Sequence, residues 1–156
     1  MDSLRQKGIE YQKMAIKQKK TRKLNDTENV LLETLQGLDS NYENLIIVVE
    51  GKKDVSVLRN LDVKAPIIKT QTKLPRYRMA EQIAAKAGKG GQVLILTDFD
   101  PEGREICKYI ERELELTGVK ILKNVRRDVR RLMGTWRCIE DIASLLKRRD
   151  SSELSL

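Results

Sequence analysis

Glu50, Asp98 and Asp100 are the residues whose types and spacing could do chemistry in this chain. Each follows a short apolar run: Leu45-Ile46-Ile47-Val48-Val49 before Glu50, and Val93-Leu94-Ile95-Leu96 shortly before the aspartates. Asp98 and Asp100 are two apart, so in extended chain they point to the same side. With Glu102 they crowd the stretch VLILTDFDPEGRE, and like charges so close need a compensating cation. A hard divalent ion takes carboxylate oxygens. Mg²⁺ in particular uses one or two carboxylates plus water and phosphate oxygens, and Mn²⁺ is the second candidate. Glu50, if it sits beside the two aspartates, is placed to shuttle a proton. Lys52, Lys53 and Arg104 put cations around the acids, ready to hold phosphate.

These acids must be positioned by strands and helices. The runs 44–50 and 93–96 are apolar and β-prone without interruption, as strands buried on both faces are. Residues 65–70 (APIIKT) and 119–124 read as two further strands. Between them lie helical patterns: one with Val55, Val57, Leu58 and Leu61, one from Tyr77 to Ala87, and one from Pro101 to about Leu116. Pro101 suits a first helical turn, where a missing N–H costs nothing. Gly51 is expected to let the chain turn tightly after Glu50. Strands alternating with helices imply an α/β fold with a four-stranded, mainly parallel sheet flanked by helices. Function in such sheets sits at the carboxyl ends of the strands. A lone D-x-D pair is often only a cap or loop. An acid after one strand joined by D-x-D after a later strand is far more specific.

The ends of the chain are basic. Residues 4–23 carry Lys19, Lys20, Arg22 and Lys23 among other cations, with Glu10 as the only acid, and read either as a solvated helix or as a nucleic-acid-contacting arm. Asn25 and Glu28 form a capping-box pattern opening a helix whose apolar face is Val30, Leu31, Leu35 and Leu38. Near the other end, Arg126, Arg127, Arg130 and Arg131 share one side of a helix, either as a phosphate-binding patch or as ion-pair partners of Asp128 and Glu140. Trp136, the only tryptophan, reads first as a packing residue and second as a base-stacking platform. A last amphipathic helix covers 138–146. The expected organisation is a basic helical extension at 1–42, an α/β domain with C-terminal basic helices at 43–148, and a disordered tail at 149–156.

Composition narrows the classes. The 156 residues carry a net charge of +8, which favours a polyanionic partner, nucleic acid before membrane. Charged residues at 35% suggest an ion-pair-rich, thermophile-like surface. No segment approaches a membrane span and the N-terminus does not resemble a signal peptide. Cys107 and Cys138 make no zinc spacing and read as reduced thiols of a cytoplasmic protein. There is no histidine, which excludes Ser-His-Asp or Cys-His nucleophiles and histidine-bound zinc.

IIVVEGKKD followed by VLILTDFDPEGRE resembles the signature of the Toprim domain family, a Rossmann-like fold shared by topoisomerases, bacterial-type primases and several nucleases. The likeness spans about residues 44–125. With VRRDVRRLM and CIEDIASLL it looks closest to small stand-alone archaeal Toprim proteins. The resemblance implies that Glu50 is the general acid/base, that Asp98 and Asp100 bind Mg²⁺, and that Glu102 helps. It does not bring a topoisomerase gate or a primase zinc domain. Two readings stay open: a Mg²⁺-dependent nuclease acting on RNA or structured nucleic acid, with RNA weakly favoured over DNA, and a non-catalytic RNA- or DNA-binding subunit of an RNA-processing complex. A haloacid-dehalogenase-type phosphatase is disfavoured, because that class carries D-x-D after its first strand.

Overall fold

The computed structural model describes residues 23–154, so the expected contacts of Lys19, Lys20 and Arg22 lie outside the described residues. Helix α1 (Asp26–Gln36) opens at Asn25, whose side chain accepts from Glu28 N–H while the Glu28 carboxylate accepts from Asn25 N–H, a reciprocal cap. A short helix α2 (Leu38–Asn41) follows. The chain then alternates: β1 (Leu45–Val49), α3 (Lys52–Asn60), β2 (Ile67–Lys69), α4 (Arg76–Ala87), β3 (Gln92–Ile95), α5 (Pro101–Glu115), β4 (Lys120–Ile121) and α6 (Lys123–Met133). A 3₁₀ turn (Ile139–Ile142) leads into α7 (Ala143–Leu154).

The strands form one sheet in the order β2-β1-β3-β4, and every pairing is parallel. Parallel strands need helical crossovers on the sheet faces, so the central strands are covered on both sides. Side-chain alternation splits the core accordingly. Leu45, Ile47, Val49, Leu94 and Leu96 pack with α1, α3, α6 and the C-terminal segment. Ile46, Val48, Val93 and Ile95 pack on the other face with Met79 and Ile83 of α4 and Cys107, Ile110 and Leu114 of α5. That is why β1 reads as an unbroken apolar run.

From β1 the chain crosses to β2 on one side, and from β3 it crosses to β4 on the other. The strand order therefore switches direction between β1 and β3, and a crevice opens at their carboxyl ends.

Several local expectations are adjusted. β4 covers only two residues, because Lys123 and Asn124 already belong to α6. The sheet edge needs only the pairings Gln92–Lys120 and Val93–Ile121, and the Lys/Arg-rich sequence beyond favours helix. On α1, Leu32 is buried whereas Val30 is exposed. α7 continues to Leu154, through much of the stretch expected to be a disordered tail. It is tied back to α1 by an ion pair between Arg148 and Glu28.

Candidate metal centre

Glu50 leaves the end of β1, and Asp98 and Asp100 follow β3, its direct neighbour. One carboxylate oxygen from each can be chosen so that all three lie within 4.8 Å of one another. The loop that carries the aspartates is held from several sides. Leu96 N–H donates to Val48 O at 2.7 Å, continuing the β1–β3 ladder. Asp98 N–H donates to Glu50 Oε1 at 3.2 Å. Asp100 caps α5, its Oδ1 accepting from Gly103 N–H at 2.7 Å. The fully buried Thr97 hydroxyl donates to Gly103 O at 2.7 Å. Phe99 alternates inward into the core while the two aspartates face the crevice.

Like charges so close are costly unless one is protonated or a cation intervenes. Burial, a hydrogen bond to Glu50 and repulsion from Glu50, Asp54 and Asp100 push Asp98 up to about 7. The donor set is all oxygen and lies beside a cleft of about 320 Å³ lined by Glu50, Asp98, Lys52, Gln71 and Glu140, which suits a hard cation. A pH dependence follows. The folded protein holds the Asp98 proton more tightly than the unfolded chain does. The resulting stabilisation is full below the ordinary value of 3.8 and is lost as pH rises through about 7. A cation must displace this proton at low pH and relieves open repulsion at high pH. Millimolar Mg²⁺ or Mn²⁺ is therefore expected to raise the melting temperature more at pH 8 than at pH 5.5, as differential scanning fluorimetry would register. An equal shift at both values would contradict the account.

The other expected site residues divide. Glu102 is exposed on the first turn of α5 and stands outside the triad. Lys52 and Lys53 are exposed at the start of α3, Lys53 lying 3.6 Å from Glu140. Lys23 is exposed just before α1. Arg104 is exposed on α5, behind the Phe99 loop. Of the α6 arginines, Arg127 and Arg130 are exposed and Arg131 pairs with Asp128 at 3.7 Å.

Arg126 does not join a surface patch. It turns under the aspartate loop, where Nη1 donates to Ile95 O and Thr97 O, both at 2.9 Å, and its guanidinium lies 4.5 Å from the centre of the Phe99 ring. Burial lowers its pKa. It acts as a positioning residue that satisfies the carbonyls where β3 ends. Gly51 is extended, at φ −136, so no left-handed turn requires glycine there. A side chain would instead press on the Gln71 amide, 2.9 Å from a built Cβ.

Asp54 was not singled out in the sequence, although E-G-K-K-D places it three residues into α3, where a cap is expected. It is buried and accepts from Gly51 N–H and Glu140 N–H, each at 2.9 Å. Burial raises its pKa, against the pull of those two hydrogen bonds. The cysteines are free thiols, pushed up to about 12 chiefly by burial. A cavity of about 710 Å³ lies at the opposite ends of the strands near Asp39, Asn44, Lys64 and Lys86. It lies away from the acids, on the side where open parallel sheets do not place their ligands. No helix among the described residues is long and apolar enough to cross a membrane.

The family model described as the Toprim domain matches residues 45–132. A UPF0292 protein of Methanocaldococcus jannaschii is 36% identical over 115 residues, which cover 74% of this chain and 86% of the relative. A UPF0292 protein of Thermococcus onnurineus is 40% identical over 86 residues, covering 55% of this chain and 61% of its own. The solved structure of an Aquifex aeolicus protein matches with a TM-score of 0.57 at 22% identity, covering 70% of this chain and 94% of that one, which is a likeness of fold.

Proposed function

Because this chain belongs to the Toprim domain family, we propose that it is a Mg²⁺-dependent phosphodiesterase acting on RNA or structured nucleic acid. The observation that carries this reading is the convergence of Glu50, Asp98 and Asp100 at the strand-order switch between β1 and β3. Asp98 and Asp100 would hold the cation with Glu50 beside them. Mg²⁺ or Mn²⁺, when bound, supplies charge neutralisation for a phosphate and a more acidic water.

The remaining work falls to the chain itself. Glu50 moves a proton, because it is held against the Asp98 backbone and faces the crevice. Lys52 and Lys53 draw the phosphate backbone toward the cleft, as exposed cations at a helix start do. Arg126 and Thr97 keep the aspartate loop in place. The net charge of +8 favours association with nucleic acid over other substrates of this chemistry. The basic stretch at 4–23 serves as an additional arm, whereas α1 packs into the core and belongs with residues 43–148 to the working module.

A second reading is a binding subunit of an RNA-processing complex. It is favoured by the cluster of Arg104, Arg127 and Arg130, lined by no carboxylate and lying apart from the acids. One experiment separates the two. End-labelled single-stranded, duplex and hairpin RNA and DNA are incubated with the purified protein in Mg²⁺ or in EDTA. Cleavage in Mg²⁺ alone supports the phosphodiesterase. Salt-sensitive binding to every substrate without cleavage supports the subunit reading.

A further inference from the structure

Two adjoining cavities lie behind the aspartate loop, and they have different chemistry. The first, about 160 Å³, is walled by Arg104, Lys123, Arg127 and Arg130, with Phe99 and Arg126 beneath. No carboxylate lines it. Lys123 is committed to Glu115 at 3.0 Å, but Arg104, Arg127 and Arg130 make no ion pair among the described residues. Arg127 donates to Asn124 Oδ1 at 2.9 Å, which leaves all three guanidiniums without a carboxylate partner. Such guanidiniums around a space for roughly five waters, at about 30 Å³ each, are what a phosphate group fits. The second cavity, about 280 Å³, is lined by Phe99, Arg130, Gly134, Thr135, Trp136 and Arg137. It offers a half-buried indole, an exposed guanidinium and a hydroxyl, the groups that stack on and hydrogen-bond a base.

The cavities share Phe99 and Arg130, so one ligand can span both. Both are fixed to the acidic site. Phe99 N–H, between the two metal-site aspartates, donates to Arg137 O at 2.6 Å. Asp54, below the acids, accepts from Glu140 N–H at 2.9 Å. Trp136 and Arg137 thus belong to a strap, residues 134–142, that is hydrogen-bonded to the metal-site loop. The strap lies beyond the residues matched by the family model.

We propose that the strap and α6 form a nucleotide subsite next to the metal centre, with a phosphate held by Arg104, Arg127 and Arg130 and its base stacked against Trp136. This deepens the reading of the protein as a nucleic-acid enzyme and rests on its partner being nucleic acid, though not on turnover. The subsite takes one unpaired nucleotide of an RNA or DNA strand, since a base inside a duplex presents no free face for stacking.

Trp136 is the only tryptophan, so tryptophan emission, excited beyond tyrosine absorption, reports on this one location. The full-length protein in EDTA is titrated with single-stranded RNA and DNA hexamers and with abasic hexamers of equal length. Intact strands are expected to quench and shift the emission. They are expected to bind about tenfold more tightly than abasic ones, in line with one base–aromatic stack. Arg130→Ala, an exposed change that leaves the core untouched, should weaken intact and abasic strands alike. Trp136→Leu, which lacks the indole reporter and is therefore followed by the anisotropy of end-labelled strands, should abolish the difference between them. Should Trp136→Leu fail to fold, Arg137→Ala replaces it and is expected to narrow the difference. Equal affinity for intact and abasic strands with unchanged emission overturns the subsite and leaves the metal-centre reading standing. Quenching by intact strands, with no cleavage when Mg²⁺ is restored, keeps the subsite and overturns the phosphodiesterase.

Discussion

Gly103→Ala is expected to cost about 3 kcal/mol or more and to lower the melting temperature by on the order of 10 °C. Gly103 has no unusual φ, and the reason lies in packing. A Cβ there would meet Asp98 O at 2.1 Å, Asp98 C at 2.6 Å and Asp98 N at 2.8 Å. All three are backbone atoms, so no side chain can swing aside. The same glycine donates to Asp100 Oδ1 and accepts from Thr97 Oγ1, so moving it pulls on both halves of the aspartate loop. Thermal denaturation of the variant with and without Mg²⁺ checks this. Both a lower melting temperature and a weakened response to the cation are expected. A variant as stable and as metal-responsive as the parent would contradict the packing argument.

The second large effect concerns turnover. If the protein cleaves phosphodiesters as proposed, Glu50→Gln is expected to slow the chemical step by about 10²–10⁴-fold, the usual contribution of a positioned acid or base. The substitution keeps an oxygen that can accept from Asp98 N–H, so the loop should keep its place. Asp98→Asn removes a ligand charge and should also slow cleavage at subsaturating Mg²⁺, with partial recovery as the cation is raised. Single-turnover cleavage across a range of Mg²⁺ distinguishes the two roles. A Glu50→Gln enzyme as fast as the parent would remove the proton-transfer assignment.

Much of this site was legible in the sequence because it is local. The apolar runs ending in Glu50 and in Asp98-Phe99-Asp100 mark strand ends by composition alone. Pro101 after Asp100 marks a helix start, and Asp100 does cap α5. That β1 and β3 are neighbours follows from the sheet order, and the sequence left it as a condition. The remainder depends on which groups face one another after docking. Helical spacing puts Arg126 among its fellow arginines, but only the seating of α6 against β3 turns it under the loop. Gly51 looked like a turn glycine, yet its backbone is extended and the constraint comes from Gln71, a residue of a distant loop. Asp54 reads as an ordinary helix cap until Glu140 closes over it. Trp136 looks like packing, and it does pack against the core; its second face becomes visible only when the strap is seen bound to Phe99.

The central claim is that Glu50, Asp98 and Asp100 form one divalent-cation site. Isothermal titration of Mn²⁺ into the metal-free protein at pH 8 tests it most directly. The account predicts saturable uptake that weakens at least tenfold in Asp98→Asn and falls again as pH is lowered through about 7. Uptake of equal strength in Asp98→Asn, or none in the parent protein, would contradict it.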